Sequence, residues 1–506
     1  MPTDTLKARL CVDNQATASV DPRLFGSFVE HLGRVVYGGI YDPAHASANA
    51  EGFRTDVMDL VRQLGVSIIR YPGGNFVSGY RWEDGVGPVA DRPRRLDLAW
   101  HSVETNAVGL NEFLSWARQV NSDVMAVVNL GTRGVDAARN LVEYANHPAG
   151  TYWSDLRIRH GVREPHKISL WGLGNEMDGP WQIGHKTAEQ YGHLAREAGK
   201  AMKWVDPTIE LVATGSSNPN MATFPEWDAT VLDLAYETVD YLSLHVYYGN
   251  PEGDTPNFLA KSMNLDAYIE AAVATADYVR AKHRSKKRIN LSLDEWNVWF
   301  HSHGEAASYE WSVGAPRLED IYTLEDALLV GSMLLTLLRH ADRVKIACLA
   351  QLVNGIAPIM TVPGGPAWRQ TIFFPFEQVS KWGRGEVLQA QTQSPTYATE
   401  EFDQVSVLDA VPVWNSEAEL LTIFAVNRSV DQTMTLDLDL RGVNPSSEMQ
   451  HWITTAEAPS VTNSPEMERV RPKPGHPIAI EGGRASASLP PLSWNVLQVS
   501  AAALAR

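Results

Sequence analysis

The chain has 506 residues, 44% of them apolar and 20% charged, which is material for about two domains and excludes a disordered or fibrous composition. Its formal charge of -17 opposes encounter with nucleic acid or an anionic membrane surface and favours a neutral or cationic ligand. Two cysteines, Cys11 and Cys348, exclude a disulfide framework and are compatible with a reducing compartment.

In chain order, Met1 to Arg9 lacks the basic start and apolar core of a secretory signal. The most apolar stretch, 327–338, is cut short by Arg339 and Asp342 before it spans a bilayer, so a cytoplasmic protein is expected. Asn427-Arg428-Ser429 then counts as a chance sequon. Residues 1–20 hold one strand-like run, 8–12, with no helix after it, and this is expected to join a C-terminal sheet.

From residue 24 to about 354 one unit recurs: an apolar run ending in polar residues, a loop, then an amphipathic helical pattern. Eight such runs are present, at 24–30, 66–71, 124–129, 168–176, 210–216, 239–247, 289–295 and 344–351. Helical patterns at 55–64, 110–120, 188–204, 265–281 and 324–340 lie between them, with apolar residues three to four apart. Near-continuous apolar strands alternating with helices imply a parallel sheet covered on both faces. A count of eight predicts an α/β fold with a closed (β/α)8 TIM barrel over 21–384.

The glycine cluster Tyr71-Pro72-Gly73-Gly74-Asn75 lacks the spacing of a nucleotide-binding loop, so no cofactor is expected. After about residue 385 short alternating runs, among them 420–426, 434–440 and 485–489, are broken by Pro, Gly and Asn. They predict a C-terminal β-sandwich of jelly-roll type over 385–506, joined by the strand in 1–20.

Catalytic residues of such a barrel gather at the C-terminal ends of the strands. There the chain offers Glu30 and His31, then Arg70 and Asn75, Asn129, Asn175 and Glu176, Ser216 and Asn218, His245 and Tyr247, Glu295 and Trp299, and Gln351 with Asn354. Hydroxyl-rich ligands need such donors and acceptors together with aromatic faces, which Trp100, Trp181, Trp296 and Trp299 supply near the same loops.

Glu176 and Glu295, 119 residues apart, each end a short apolar run, the fourth and the seventh. Hydrolysis of a glycosidic bond needs one protonated and one ionised carboxyl, and this pair can face across a ligand. A separation of about 5 to 5.5 Å would give retention of configuration. Asn175 can donate to a sugar hydroxyl, and Arg70 and Tyr247 can bond Glu295 and hold it ionised relative to Glu176. Taken singly, each glutamate could equally be a strand cap.

Six stretches in order carry a family resemblance: 25–41, 70–76 (RYPGGNF), 82–88, 171–181 (WGLGNEMDGPW), 294–299 (DEWNVW) and 351–358. With the last apolar run, 489–497, they resemble the α-L-arabinofuranosidases of glycoside hydrolase family 51 through the whole chain. The resemblance implies a retaining exo-enzyme that releases terminal non-reducing α-L-arabinofuranosyl units from arabinan, arabinoxylan or their oligosaccharides. By position it makes Glu176 the acid/base and Glu295 the nucleophile. It places Glu30, Arg70, Asn75, Asn175, Tyr247 and Gln351 around the furanose, with Trp100 and Trp299 as walls. It also implies a cytoplasmic hexamer that works on small imported oligosaccharides.

Three alternatives stand beside it. A β-xylosidase or an endoglucanase would use the same barrel and carboxyl pair, and a non-catalytic sugar-binding protein would use the same aromatics. A metal site on His301, His303 and His245 lacks the further His and Asp ligands a barrel metal needs, so no metal is expected.

Overall fold

The long apolar runs fold where sterics and burial demand, inside a closed parallel barrel. The computed structural model describes residues 5–303 and 310–501; the remaining positions of the segments 1–20 and 385–506 lie outside the described residues. The eight barrel strands are Gly26–Phe28, Ile68–Tyr71, Asp123–Val128, Leu170–Leu173, Glu210–Ala213, Tyr241–Tyr248, Asn290–Val298 and Val344–Ala350. They pair in sequence order, all parallel, and the eighth closes on the first. Covered by helices outside and filled by side chains inside, they are buried on both faces, as their unbroken apolar runs require. Cys348 is buried in the eighth.

Helices fill the connections and are set by local signals. Thr187 caps Ala188–Val205 in a capping box with Gln190, and Thr323 caps Leu324–Arg339 with Asp326. Additional helices, Val135–Asn146, Tyr152–Arg159, Glu226–Ala235 and Phe373–Trp382, complete the outer layer.

The alternating runs of the C-terminal region form, together with the N-terminal strand, a mostly antiparallel sheet of ten strands, the β-rich unit the sequence pattern predicts. The N-terminal strand Leu6–Ser19 lies inside it, antiparallel to Glu386–Gln393 and parallel to Met434–Asp439. Two irregularities in its pairing, between Val12 and Ala16 and between Ala16 and Ala18, mark bulges of the kind that bend a strand at a sheet corner. Leu10, Ile423, Leu438 and Leu497 from distant strands consequently share one apolar core. The sheet therefore curls over itself and builds two layers from one.

Its other face joins the barrel. Phe424, Val426, Trp494 and Val496 pack into the barrel's own cluster. Trp494 Nε1 donates to Gln378 Oε1 at 2.8 Å, and its ring lies over Gly331 in the middle of the helix Leu324–Arg339. A methyl group at Gly331 would come within 2.7 Å of the indole. Alanine is worth about 1 kcal/mol over glycine in a helix, yet overpacking costs about 1–3 kcal/mol. Because the indole is hydrogen-bonded and cannot swing away, the clash wins. Gly331→Ala is expected to destabilise the fold by about 1–2 kcal/mol, read as a lower midpoint of chemical denaturation; an unchanged or higher midpoint would show that the helix and sheet have room to shift.

Candidate active site

Two local irregularities turn the ends of the fourth and seventh strands into a site. After Leu173, Gly174 (φ 91°) and Glu176 (φ 43°) both enter the left-handed region. A non-glycine residue there is strained, and such strain persists where the surroundings over-determine it. In the seventh strand the pairing with both neighbours slips around Asp294 and Glu295. Regular alternation would send these two side chains to opposite faces. The slip instead brings both to His245, whose Nε2 lies 3.0 Å from Asp294 Oδ1 and whose Nδ1 lies 3.7 Å from Glu295 Oε2.

Glu295 is clamped on both oxygens. Arg70 Nη1 donates to Oε1 at 2.7 Å and Tyr247 Oη to Oε2 at 2.8 Å. The same guanidinium donates from Nη2 to Asn175 Oδ1 at 2.6 Å, so Arg70 ties the second, fourth and seventh strands together. Gly74 leaves room for this: a Cβ there would lie 2.9 Å from Glu295 Oε1.

Glu176 has different partners. His245 Nδ1 is 2.9 Å from Oε1, and Trp181 Nε1 donates to Oε2 at 2.7 Å from an indole that is 51% exposed. Burial, together with the negative charge of Glu295, pushes the Glu176 pKa above the usual carboxyl value despite these two bonds. Burial pulls His245 down, but Glu295, Asp294 and Glu176 outweigh it and raise its pKa to about 10, so the ring is an imidazolium at neutral pH. Asp294 is lowered despite its burial, because Arg70 and His245 face it.

Glu30 stands two residues beyond the first strand and takes only neutral donors. Its Oε1 accepts from Phe76 N at 2.8 Å and Trp100 Nε1 at 2.9 Å, and its Oε2 accepts from Gln351 Nε2 at 3.2 Å. Gln351 Oε1 in turn accepts from the Glu30 backbone N–H at 3.0 Å. Burial first and the charge of Glu295 second push Glu30 up to about 8.

These groups surround a cavity of about 770 Å³. Glu30, Asn75, Trp100, Tyr247, Trp299 and Gln351 line it with the two central glutamates. Arg70 and Asn175 stand directly behind, and Asn175 Nδ2 donates to Asn75 Oδ1 at 3.3 Å. Trp299 Nε1 is buried without a hydrogen-bond partner, a donor left for a ligand.

Other strand-end residues serve the scaffold. Asn129 caps its own loop at Gly131 and Thr132, Ser216 bonds Asp228, and Asn354 bonds the Arg34 carbonyl and Thr361. Trp296, expected near the mouth, is fully buried and does not line the cavity.

The sequence pattern did not signal Asp294, or Trp181 as a partner of Glu176. Their roles depend on the strand slip and on a loop contact. His245 was visible as a strand-end residue, with a metal as its only proposed use.

Among the described residues, one group brings three ligand-type side chains together: Glu176, His245 and Glu295, with their nearest ligand atoms all within 4.8 Å of one another. An imidazolium held by carboxylates at both ring nitrogens donates hydrogen bonds and offers no lone pair, so this set suits proton chemistry better than a metal. His301 is occupied elsewhere, with Nε2 2.8 Å from Asp326 Oδ2, and His303 packs edge-on against Trp299.

Two family models match the chain: the α-L-arabinofuranosidase 1 domain over residues 60–270 and the α-L-arabinofuranosidase C-terminal domain over 294–493. An intracellular exo-α-(1→5)-L-arabinofuranosidase of Halalkalibacterium halodurans is 59% identical over 98% of this chain and 99% of its own. One of Bacillus subtilis with the same activity in its name is 58% identical over 97% and 99%. The solved structure of a family 51 α-L-arabinofuranosidase from Bifidobacterium longum superposes with a TM-score of 0.93 at 44% identity, covering 98% of this chain and all of that one. A Thermotoga maritima α-L-arabinofuranosidase in complex with arabinose gives 0.88 at 30%, covering 97% and 100%. With full-length identity at this level and a site of the kind the motifs imply, the chain belongs to the α-L-arabinofuranosidases of glycoside hydrolase family 51.

Proposed function

We propose that this arabinofuranosidase is a retaining exo-enzyme in which Glu295 is the nucleophile and Glu176 the acid/base. The observation that carries the reading is the close, unequal pair: oxygens of Glu176 and Glu295 lie within 4.8 Å of each other. Retaining enzymes hold their carboxyl groups about 5–5.5 Å apart, and inverting ones about 6.5–9.5 Å, to admit a water. In the first step Glu295 attacks the anomeric carbon while Glu176 gives its proton to the departing oxygen, so the glycosidic bond breaks as the glycosyl ester forms. In the second, a water attacks that carbon, its proton passes to Glu176, and the ester bond releases Glu295.

The charges support the change of role. Glu295 helps hold the Glu176 pKa up; once it is esterified that influence is gone, and Glu176 becomes the base the second step needs. The wall of Glu30, Asn75, Trp100 and Gln351 serves a terminal furanose, and Arg70, Asn175 and Tyr247 hold the reacting groups. The names of the relatives support α-(1→5)-linked arabino-oligosaccharides as substrate and the cell interior as the place of action. No helix among the described residues is long and apolar enough to cross a membrane. A homo-oligomer, a hexamer on the family resemblance, completes the reading. So does a division into the segments 1–20, 21–384 and 385–506.

Glu295→Ala is expected to lose about four or more orders of magnitude in turnover, as removal of a nucleophile does elsewhere. Azide should restore part of it on an aryl arabinofuranoside and yield the glycosyl azide of inverted configuration. Glu176→Ala should lose about 10²–10⁴-fold on oligosaccharides and far less on aryl glycosides with good leaving groups. Wild-type turnover in Glu295→Ala would sink the assignment, and a first-formed product of inverted anomer would sink the retaining mechanism. Rates on the α-L-arabinofuranoside should exceed those on the β-D-xylopyranoside by about 100-fold or more; near-equal rates would favour a β-xylosidase.

Trp181→Phe keeps the ring and removes the N–H that favours the Glu176 carboxylate. The alkaline limb of kcat/KM on oligosaccharides should therefore move up by about half to one pH unit. An unmoved limb would mean the indole does not tune the acid.

A further inference from the structure

The cavity is larger than a terminal furanose requires. At about 770 Å³ it falls in the upper part of the ~300–1,000 Å³ range of sites that enclose drug-sized ligands. Beyond the catalytic pair it continues past Tyr248 to Asn264, Lys261 and Glu401. A run of contacts connects them. Tyr247, bonded to Glu295, is followed in the sixth strand by Tyr248, whose Oη donates to Asn264 Oδ1 at 2.8 Å. Asn264 lies in the first turn of the helix Ser262–His283, and Lys261 sits three residues before it, on the same face and about 5–6 Å away between Cβ atoms. The Lys261 ammonium bonds Glu401, which also accepts from Asn257 Nδ2 at 2.8 Å. Glu401 comes from the segment between the short strands Thr396–Tyr397 and Val405–Ser406, beyond the barrel.

We propose that Asn264, Lys261 and Glu401 form a distal subsite for a sugar unit on the reducing side of the scissile bond, one unit beyond the leaving sugar. This rests on the arabinofuranosidase reading above. The side chain of Glu401 is 46% exposed and that of Lys261 20%, and an ion pair so open contributes about 0–1 kcal/mol to stability. The fold gains little from it. Paired, the two charges cancel, so the subsite selects neither an anion nor a cation. What remains is an ammonium, a carboxylate and an amide side by side, donors and acceptors suited to the hydroxyls of a neutral sugar.

The test compares kcat/KM on α-(1→5)-linked arabinotriose, arabinobiose and an aryl arabinofuranoside for the wild type, Glu401→Ala, Lys261→Met and Asn264→Ala, with Tm measured alongside. A lost hydrogen bond to the third unit should lower the triose-to-biose ratio by about three- to tenfold, with less than a twofold fall on the aryl glycoside. Glu401→Gln, which keeps an acceptor, should recover part of the ratio. A ratio equal to the wild type's in all three variants, or an equal fall on every substrate, overturns the proposal. Failure of the underlying reading is separate: it would appear as a wild-type enzyme inert on the aryl arabinofuranoside.

Discussion

A surplus of buried acid at one end of a closed barrel governs this structure. Glu30, Glu176, Asp294 and Glu295 are all buried there, and the cations among their direct partners are Arg70 and His245. At an effective dielectric near 20, two unit charges less than 5 Å apart repel by about 3–4 kcal/mol, more than two pKa units. Two cations do not neutralise four carboxylates, so protons settle where the donors are weakest. Glu30 has neutral donors only. Glu176 shares His245 with two other acids and otherwise has a half-exposed indole. Glu295 accepts a direct bond from Arg70 on one oxygen, and Asp294 has His245 with Arg70 nearby. The unequal surroundings of the two central glutamates come from this arrangement of partners, since their own chemistry is identical.

Holding that arrangement takes a rigid frame. Arg70 reaches three strands at once, and a sheet that could slide would break one contact to keep another. Closure of the barrel removes that freedom, and the C-terminal sheet adds to it. Trp494 presses on the helix Leu324–Arg339, whose own packing backs the seventh strand, which carries Asp294 and Glu295. The glycines at 73 and 74 belong to the same frame: a Cβ at Gly73 would lie 2.6 Å from Glu30 Cγ, and one at Gly74 2.9 Å from Glu295. Room for the acids is made by removing side chains from the backbone beside them.

This frame was legible in the sequence where it follows a period. Eight apolar runs gave the strand count, and polar residues at their ends gave Glu30, Arg70, Asn175, Glu176, Tyr247, Glu295 and Gln351, because a strand end is where an apolar run meets the mouth. What departs from the period was not legible. Asp294 carried no signal of its own, because alternation assigns it and Glu295 to opposite faces and nothing in the letters marks the slip. Trp296 was expected near the mouth because it follows the end of an apolar run, and it is core. Asn129 and Asn354 share the composition of a site residue and spend it on turns. In the C-terminal half the alternation gave the strands, but the curl of one sheet over itself depends on two bulges in Leu6–Ser19, some 380 residues from its partner.

The energetics show why such a site can be kept. A carboxyl raised to about 8, as Glu30 is, holds its proton more tightly when folded than its ordinary value of 4.5 allows when unfolded. Its contribution is therefore favourable relative to neutral pH only in acid, and by pH 7 it costs about 3 kcal/mol. His245, raised from 6.5 to about 10, has the opposite effect at neutral pH. Its stabilisation is complete below about 6.5, still about 4 kcal/mol at pH 7, and lost as pH rises through 10. The two terms are of similar size and opposite sign. An imidazolium set among carboxylates thus offsets the burial of the Glu30 carboxyl elsewhere in the same cluster, and both effects weaken the fold as the solution becomes alkaline. Asp294, lowered by Arg70 and His245, adds stability that disappears only as pH falls below the ordinary carboxyl range. Around neutrality the buried acids are tolerated because of the cation between them, so the group hydrogen-bonded to Glu176 is also the one that makes its surroundings affordable.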